Sequence, residues 1–157
     1  MERTPATDEC WAAFAEAAGL AGRDYTVVAF GDENADLNAD LVVRGPKRAT
    51  IGLAREYAGG EAMPRVGDHW VVVDGGGRPR CVCRTTEITV KPIIEVDDAF
   101  AWDEGEGDRT RDDWLEGHRS HYRRIAEREG WSFHDGLDAV FERFVVVWPA
   151  AAADPVS

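Results

Sequence analysis

The hydrophobic positions of this chain switch between two periods. Over residues 8–18, Trp11, Phe14, Ala15 and Ala18 recur at the spacing of one helical face, with Thr7 as N-cap and Gly19 as stop. Residues 25–30 form a short β-rich run that ends in Gly31-Asp32. Over residues 33–44, Ala35, Leu37, Leu41 and Val42 predict a second helix, with Gly45 as its C-cap and Pro46 as its breaker. Ala49, Ile51 and Leu53 alternate with Thr50 and Gly52, which predicts a strand. The clearest strands cover residues 69–74 and 80–90, joined by a hairpin turn at Gly75-Gly76-Gly77. A short helix is predicted over 96–102. Thr110 and Asp113 open a longer one in the manner of a capping box, and Trp114, Leu115, His118, Tyr122, Ile125 and Ala126 recur along it. Residues 141–148 read as the closing strand. Five or six strands with helices at the rim predict an α+β fold, a small mixed β-barrel in one domain over residues 1–157, with a loose tail from residue 150.

Composition narrows the partners. The 157 residues fit one domain of ordinary size, and 44% hydrophobic with 31% charged residues is a globular balance. The net charge of -12 argues against a general binder of duplex DNA or of an anionic membrane, since either needs a broad positive field. A small basic pocket for one nucleotide or a short single strand remains compatible with it. The apolar stretch over 144–153 is half the length of a bilayer span, and Pro149 interrupts it. Glu2, Asp8, Glu9 and Glu16 crowd the N-terminal segment, which lacks a secretory core, so a cytoplasmic location is expected.

Several chemistries lack their signatures. Cys10, Cys81 and Cys83 form no disulfide framework; Cys81 and Cys83 share one strand face as small buried hydrophobes. Without a Cys-x-x-Cys pair or paired histidines, no zinc site or other metal is expected, and no cofactor. The serines, Ser120, Ser132 and Ser157, sit in no nucleophile elbow, and there is no phosphate-binding glycine loop.

Three segments carry candidate chemistry. The first is Arg44-Gly45-Pro46-Lys47-Arg48-Ala49-Thr50. The chain uses arginine 16 times and lysine only at Lys47 and Lys91, so a retained lysine points to a need for an ammonium. Such a group acts as a base or holds an oxyanion; a solvated turn lysine is the plain alternative. The second is the acidic run over 103–108, which fails the EF-hand pattern and reads either as a solvated loop or as one carboxylate facing a pocket. Trp102 stands beside it as a cover or a stacking surface. The third is the helix after Thr110, whose six arginines face five acidic residues, too balanced for a phosphate-binding stripe. His118 lies among its apolar positions, as a core histidine would.

The order Phe30-Gly31-Asp32, Gly45-Pro46-Lys47-Arg48-Ala49-Thr50, Val66-Gly67-Asp68, Glu104-Gly105-Glu106-Gly107-Asp108-Arg109 with Trp114 and His118, then Phe141-Glu142-Arg143-Phe144 resembles the ASCH domain. That family is related to PUA domains, and the resemblance runs from about Val27 to Trp148, nearest to a larger bacterial subgroup described as predicted RNA-binding proteins. It implies a PUA-like barrel whose cleft is lined by the lysine turn and the acidic loop. A smaller relative removes the acetyl group of N4-acetylcytidine with a lysine, a threonine and a glutamate. Carried over, these fall on Lys47, Thr50 and Glu106, with Glu104 competing for the last role. Phe30, Asp32, Arg48, Tyr57, Trp102, Glu104 and His118 are placed around the ligand, a nucleoside or a short single-stranded RNA. The readings are amidohydrolase, non-catalytic RNA-binding module, or ribonuclease. In the first, neutral Lys47 or Glu106 deprotonates Thr50. One tension is geometric: positions three apart on a strand face opposite ways, so Lys47 and Thr50 meet only if the chain turns between them.

Overall fold

In a computed structural model, residues 1–31 and 33–155 are described. Five strands form one sheet: β1 (Thr26–Val28), β2 (Ala49–Leu53), β3 (His69–Val73), β4 (Pro79–Pro92) and β5 (Asp138–Trp148), in the order β1-β3-β4-β5-β2. β1 runs parallel to β3, and every other pairing is antiparallel. The two long strands β4 and β5 pair along most of their length, with register shifts at Val82/Cys83 and Thr85/Glu87. Bulges of this kind bend and twist a sheet. The sheet therefore curls into a half-barrel with β1 and β2 at its two edges, the mixed barrel that the strand pattern predicts.

Helices cover the curl. α1 (Pro5–Ala18) buries Trp11, Phe14 and Ala15 with Val27, Val71, Val73 and Val82. It starts three residues earlier than predicted because Thr4, not Thr7, is the cap. The Thr4 hydroxyl accepts from Thr7 N–H at 3.1 Å and the Thr7 hydroxyl accepts from Thr4 N–H at 2.8 Å. Pro5 fits the first turn, where no intrahelical N–H bond is lost. α2 (Ala35–Val43) packs Ala39 and Val42 inside the curl with Trp70, Val72, Cys81, Cys83 and Phe144. The two strand cysteines are buried thiols, as their shared face predicts. A two-turn 3-10 segment follows β2 at Ala54–Gly59 and carries Tyr57 to the sheet edge.

α3 (Asp98–Glu104) and α4 (Arg111–Glu129) close the other end over Leu53, Ile93, Ala139 and Phe141. α3 begins at Asp98 rather than 96 because the Asp97 carboxylate accepts from Phe100 N–H at 2.7 Å. Val96 is thereby left as core, 2% exposed. Thr110 caps α4 as predicted. Of the segment from residue 150, expected to be loose, the described part is tied down at Asp154. Asp154 accepts from Val146 N–H at 2.8 Å, and Arg48 grips its carboxylate with two bonds of 2.9 Å. Among the described residues no helix is long and apolar enough to cross a membrane.

Candidate functional site

The site begins with a close approach of two backbones. The chain leaves α2 at Arg44 and turns through Gly45 and Pro46, and Lys47 N–H bonds to Leu41 O at 3.1 Å. Arg48 N–H bonds to Asp103 O at 2.7 Å, which ties the turn to α3. At the end of α3, Gly105 has a φ of 76°, and a Cβ there would stand 2.9 Å from the Lys47 nitrogen. Only glycine admits that contact in that conformation. The turn is complete before β2 starts at Ala49. Lys47 lies outside the strand, so its side chain and that of Thr50 reach one cleft, and the alternation argument does not apply to them.

The Lys47 ammonium is buried and has three acceptors: Ala49 O at 3.1 Å, Glu104 O at 3.3 Å and the Glu106 carboxylate at 3.1 Å. Three acceptors match the three N–H donors of an ammonium. Its charge also lies 5.1 Å from the Phe30 ring centre, a cation–π distance. Glu106 is held between Gly105 and Gly107, both left-handed, and reaches the ammonium from the rim.

Glu104, the last residue of α3, lies deeper, 2% exposed. The Trp114 indole N–H donates to one of its oxygens, and His118 Nε2 lies 3.2 Å from the other. The second ring nitrogen of His118 lies 2.7 Å from Trp114 O. A carboxylate and a carbonyl only accept, so this arrangement calls for the doubly protonated ring. The Trp114 ring stacks on it at 3.8 Å. Burial works against the Glu104 charge. The His118 hydrogen bond and the Lys47 and His118 charges outweigh it and hold the carboxyl well below the usual range, at about 2. Burial likewise opposes the His118 charge, but the bond to Glu104 and its charge raise the imidazole above its ordinary value. Glu106 goes the other way: burial raises it, Lys47 lowers it, and neighbouring Glu104 raises it again, for a net upward shift. The two carboxyls are thus split into one that stays ionised and one that takes a proton readily.

These groups line a cleft of about 700 Å³ that Phe30, Thr50 and Tyr57 also line. Burial, with Glu142 and Glu56 nearby, pushes the Tyr57 phenol up to about 12, so it stays a hydrogen-bond donor. Of the residues singled out in the sequence, the fold brings together Lys47, Thr50, Glu106, Glu104, Phe30, Tyr57 and His118. Asp32 lies outside the described residues. Two placements need correction. Arg48 points away from the cleft, where it binds Asp154, Val42 O and Lys47 O and locks the turn to the C-terminal segment. Trp102 is 56% exposed on the outer side of α3 and is covered by the Arg109 guanidinium at 3.6 Å rather than by a cleft wall. His118 is both buried beside apolar rings and bonded to the cleft's deep carboxylate, so the two readings of it merge.

Sequence reasoning missed Glu142, Glu56 and Asn38. Glu142 carried a signal: it is an acidic residue within the apolar closing strand. Its significance needed the register, in which it stands opposite Thr50. With Asp113, five carboxyl residues line the cleft, against Lys47, Arg124 and two histidines.

A curled five-stranded sheet, with a lysine turn and an acidic loop meeting at its mouth, is a PUA-like α+β half-barrel. The ASCH domain profile matches residues 26–148, and the chain belongs to that family. It is similar to the ASCH domain from Lactobacillus crispatus JV V101, with 29% identity, a TM-score of 0.85, and coverage of 93% of this chain and 96% of that one. It is also similar to a protein from Enterococcus faecalis V583, with 27% identity, a TM-score of 0.79, and coverage of 89% and 86%. No curated protein matches it.

Proposed function

We propose that the cleft binds a modified nucleoside and hydrolyses its exocyclic amide, with N4-acetylcytidine as the representative substrate. The observation that carries this reading is the buried Lys47 ammonium, bonded to Glu106 in a cleft that Thr50 also lines. Catalysis by acyl transfer needs a nucleophile, a cation for the oxyanion and an acid for the departing amine. Thr50 supplies the hydroxyl. Lys47, with all its hydrogens engaged, is a charge to be shared with an oxyanion and not a base. Glu106, raised by burial and by Glu104, donates the proton to the departing N4 nitrogen.

The charge of the walls supports a small neutral ligand. Five carboxyl residues around the cleft repel a phosphodiester chain, while an aromatic base can stack on Phe30 or Tyr57. Such stacking is worth about 1–3 kcal/mol per base. This balance favours the nucleoside over the single-strand and ribonuclease readings.

The test is cytidine release from N4-acetylcytidine, followed by chromatography. Turnover is expected, with loss on Lys47→Ala. No turnover, or turnover that Lys47→Ala leaves intact, overturns the reading.

A further inference from the structure

The reaction just described lacks a group to take the proton of Thr50. Lys47 donates three hydrogen bonds, and Glu106 is the acid for the departing amine. Glu104 is already bound by Trp114 and His118. The β2–β5 ladder provides another carboxylate. Thr50 and Glu142 are direct antiparallel partners, and both line the cleft. Direct partners in such a ladder place their Cβ atoms about 4.5–5.5 Å apart on one face. A glutamate stem spans that gap.

Glu142 is also aimed. The Trp70 indole N–H donates to Thr85 Oγ1 at 3.1 Å, and the Thr85 hydroxyl donates to Glu142 Oε2 at 2.6 Å. Trp70 and Thr85 are both buried, so they form a rigid mount rather than a surface contact. The neighbouring Arg143 faces the other side of the sheet, where it pairs with Glu87 at 3.1 Å and with Asp103. The residue opposite Glu142 on β4 is Ile88, which gives it no counter-ion.

We infer that Glu142 is the general base for Thr50, held in place by the Trp70–Thr85 hydrogen-bond chain. This rests on the hydrolytic reading above. The Thr50 proton passes to Glu142 Oε1 as Thr50 Oγ bonds to the acyl carbon. The carbonyl electron pair moves to the oxygen beside Lys47. Collapse breaks the C–N4 bond, and N4 takes the proton of Glu106, leaving an acetyl ester on Thr50. Water then attacks that ester with Glu106 as base, and the protonated Glu142 returns its proton to Thr50. Both carboxyls end as they began. Burial raises Glu142, the Thr85 bond lowers it and Asp68 raises it, for a net upward shift that makes it a stronger base than an ordinary carboxylate. The ionisable groups facing it are Asp68, Tyr57 and Glu56.

The test uses two acetyl donors. With p-nitrophenyl acetate the leaving group needs no proton, so Thr50 acetylation, read by peptide mass spectrometry, depends on the base and not on Glu106. Wild type is expected to acetylate Thr50, seen as the acetylated peptide or as p-nitrophenolate release that Thr50→Ala abolishes, and Glu142→Gln to do so at least about 100-fold more slowly. Thr85→Val, which keeps the carboxylate should Glu142→Gln fail to fold, is expected to shift the acid limb of the rate profile to higher pH. Absence in wild type of both the acetylated peptide and Thr50-dependent p-nitrophenolate release overturns the assignment, as does a Glu142→Gln rate equal to wild type or an unmoved limb in Thr85→Val. With N4-acetylcytidine the two ideas separate. If it is not hydrolysed while Glu142-dependent acetylation of Thr50 persists, the substrate reading falls and the base stands. If Glu142→Gln hydrolyses it at the wild-type rate, the base falls and the substrate reading stands.

Discussion

Gly105→Ala tests how the site is assembled. The added methyl would meet the Lys47 nitrogen at 2.9 Å, its Cα at 3.0 Å and the Pro46 carbonyl carbon at 3.1 Å. All three are backbone atoms, so no side chain can swing aside. The left-handed conformation costs an alanine about 1–2 kcal/mol, and crowding a packed contact costs about 1–3 kcal/mol more. The sum, about 2–5 kcal/mol, corresponds to a fall of about 4–20 °C in Tm for a domain of this size. Gly130→Ala is the control. Its φ of 81° is equally left-handed, but nothing lies within 4 Å of the added methyl. That variant should pay only the conformational part, about 1–2 kcal/mol. Differential scanning calorimetry of both variants isolates the contact. Because relief of the clash moves Lys47 away from Glu106, Gly105→Ala should also lose N4-acetylcytidine turnover while Gly130→Ala keeps it. Equal falls in Tm for the two variants would refute the claim that this backbone contact holds the lysine turn.

Two further outcomes follow from the ion pairs. The raised His118 contributes stability that is fully present below its unfolded value, about 6.5, and is lost as pH rises through its higher folded value. The stability gap between wild type and His118→Gln, from urea titrations, should therefore be widest in mild acid, at about 1.5–3 kcal/mol, and narrow above neutrality; a gap that widens with pH would contradict the imidazolium. Arg48→Ala should lower the unfolding free energy, from urea titration, by about 1–3 kcal/mol through loss of its Asp154 bonds. Trp102→Ala should leave calorimetric affinity for N4-acetylcytidine unchanged, and a clear loss there would place Trp102 back at the ligand.

Much of the cleft was legible because its residues sit in locally distinctive settings. A lysine in an arginine-rich chain and a glutamate between glycines stand out against their neighbours, whatever the fold. Arg48 and Trp102 misled for the same reason: adjacency to a motif says nothing about which way a side chain points. Arg48 follows Lys47 directly, yet the turn sends one inward and the other to Asp154. Glu142 was hidden for the opposite reason. A charged position in an apolar strand is ordinary until a partner strand stands beside it.

Periodicity and turn residues determined the elements, since the faces of a helix and a strand repeat at 3.6 and 2 and glycine marks the left-handed positions. They also determined that α and β elements combine around one curled sheet. Tertiary structure alone decided which strands are neighbours, and with that the placing of Glu142 beside Thr50. It also decided that Glu104 is held well below the usual carboxyl range while Glu106 is shifted above it. Both depend on distances across segments far apart in the chain, and charge interactions and ladder pairing follow separation in space rather than in sequence.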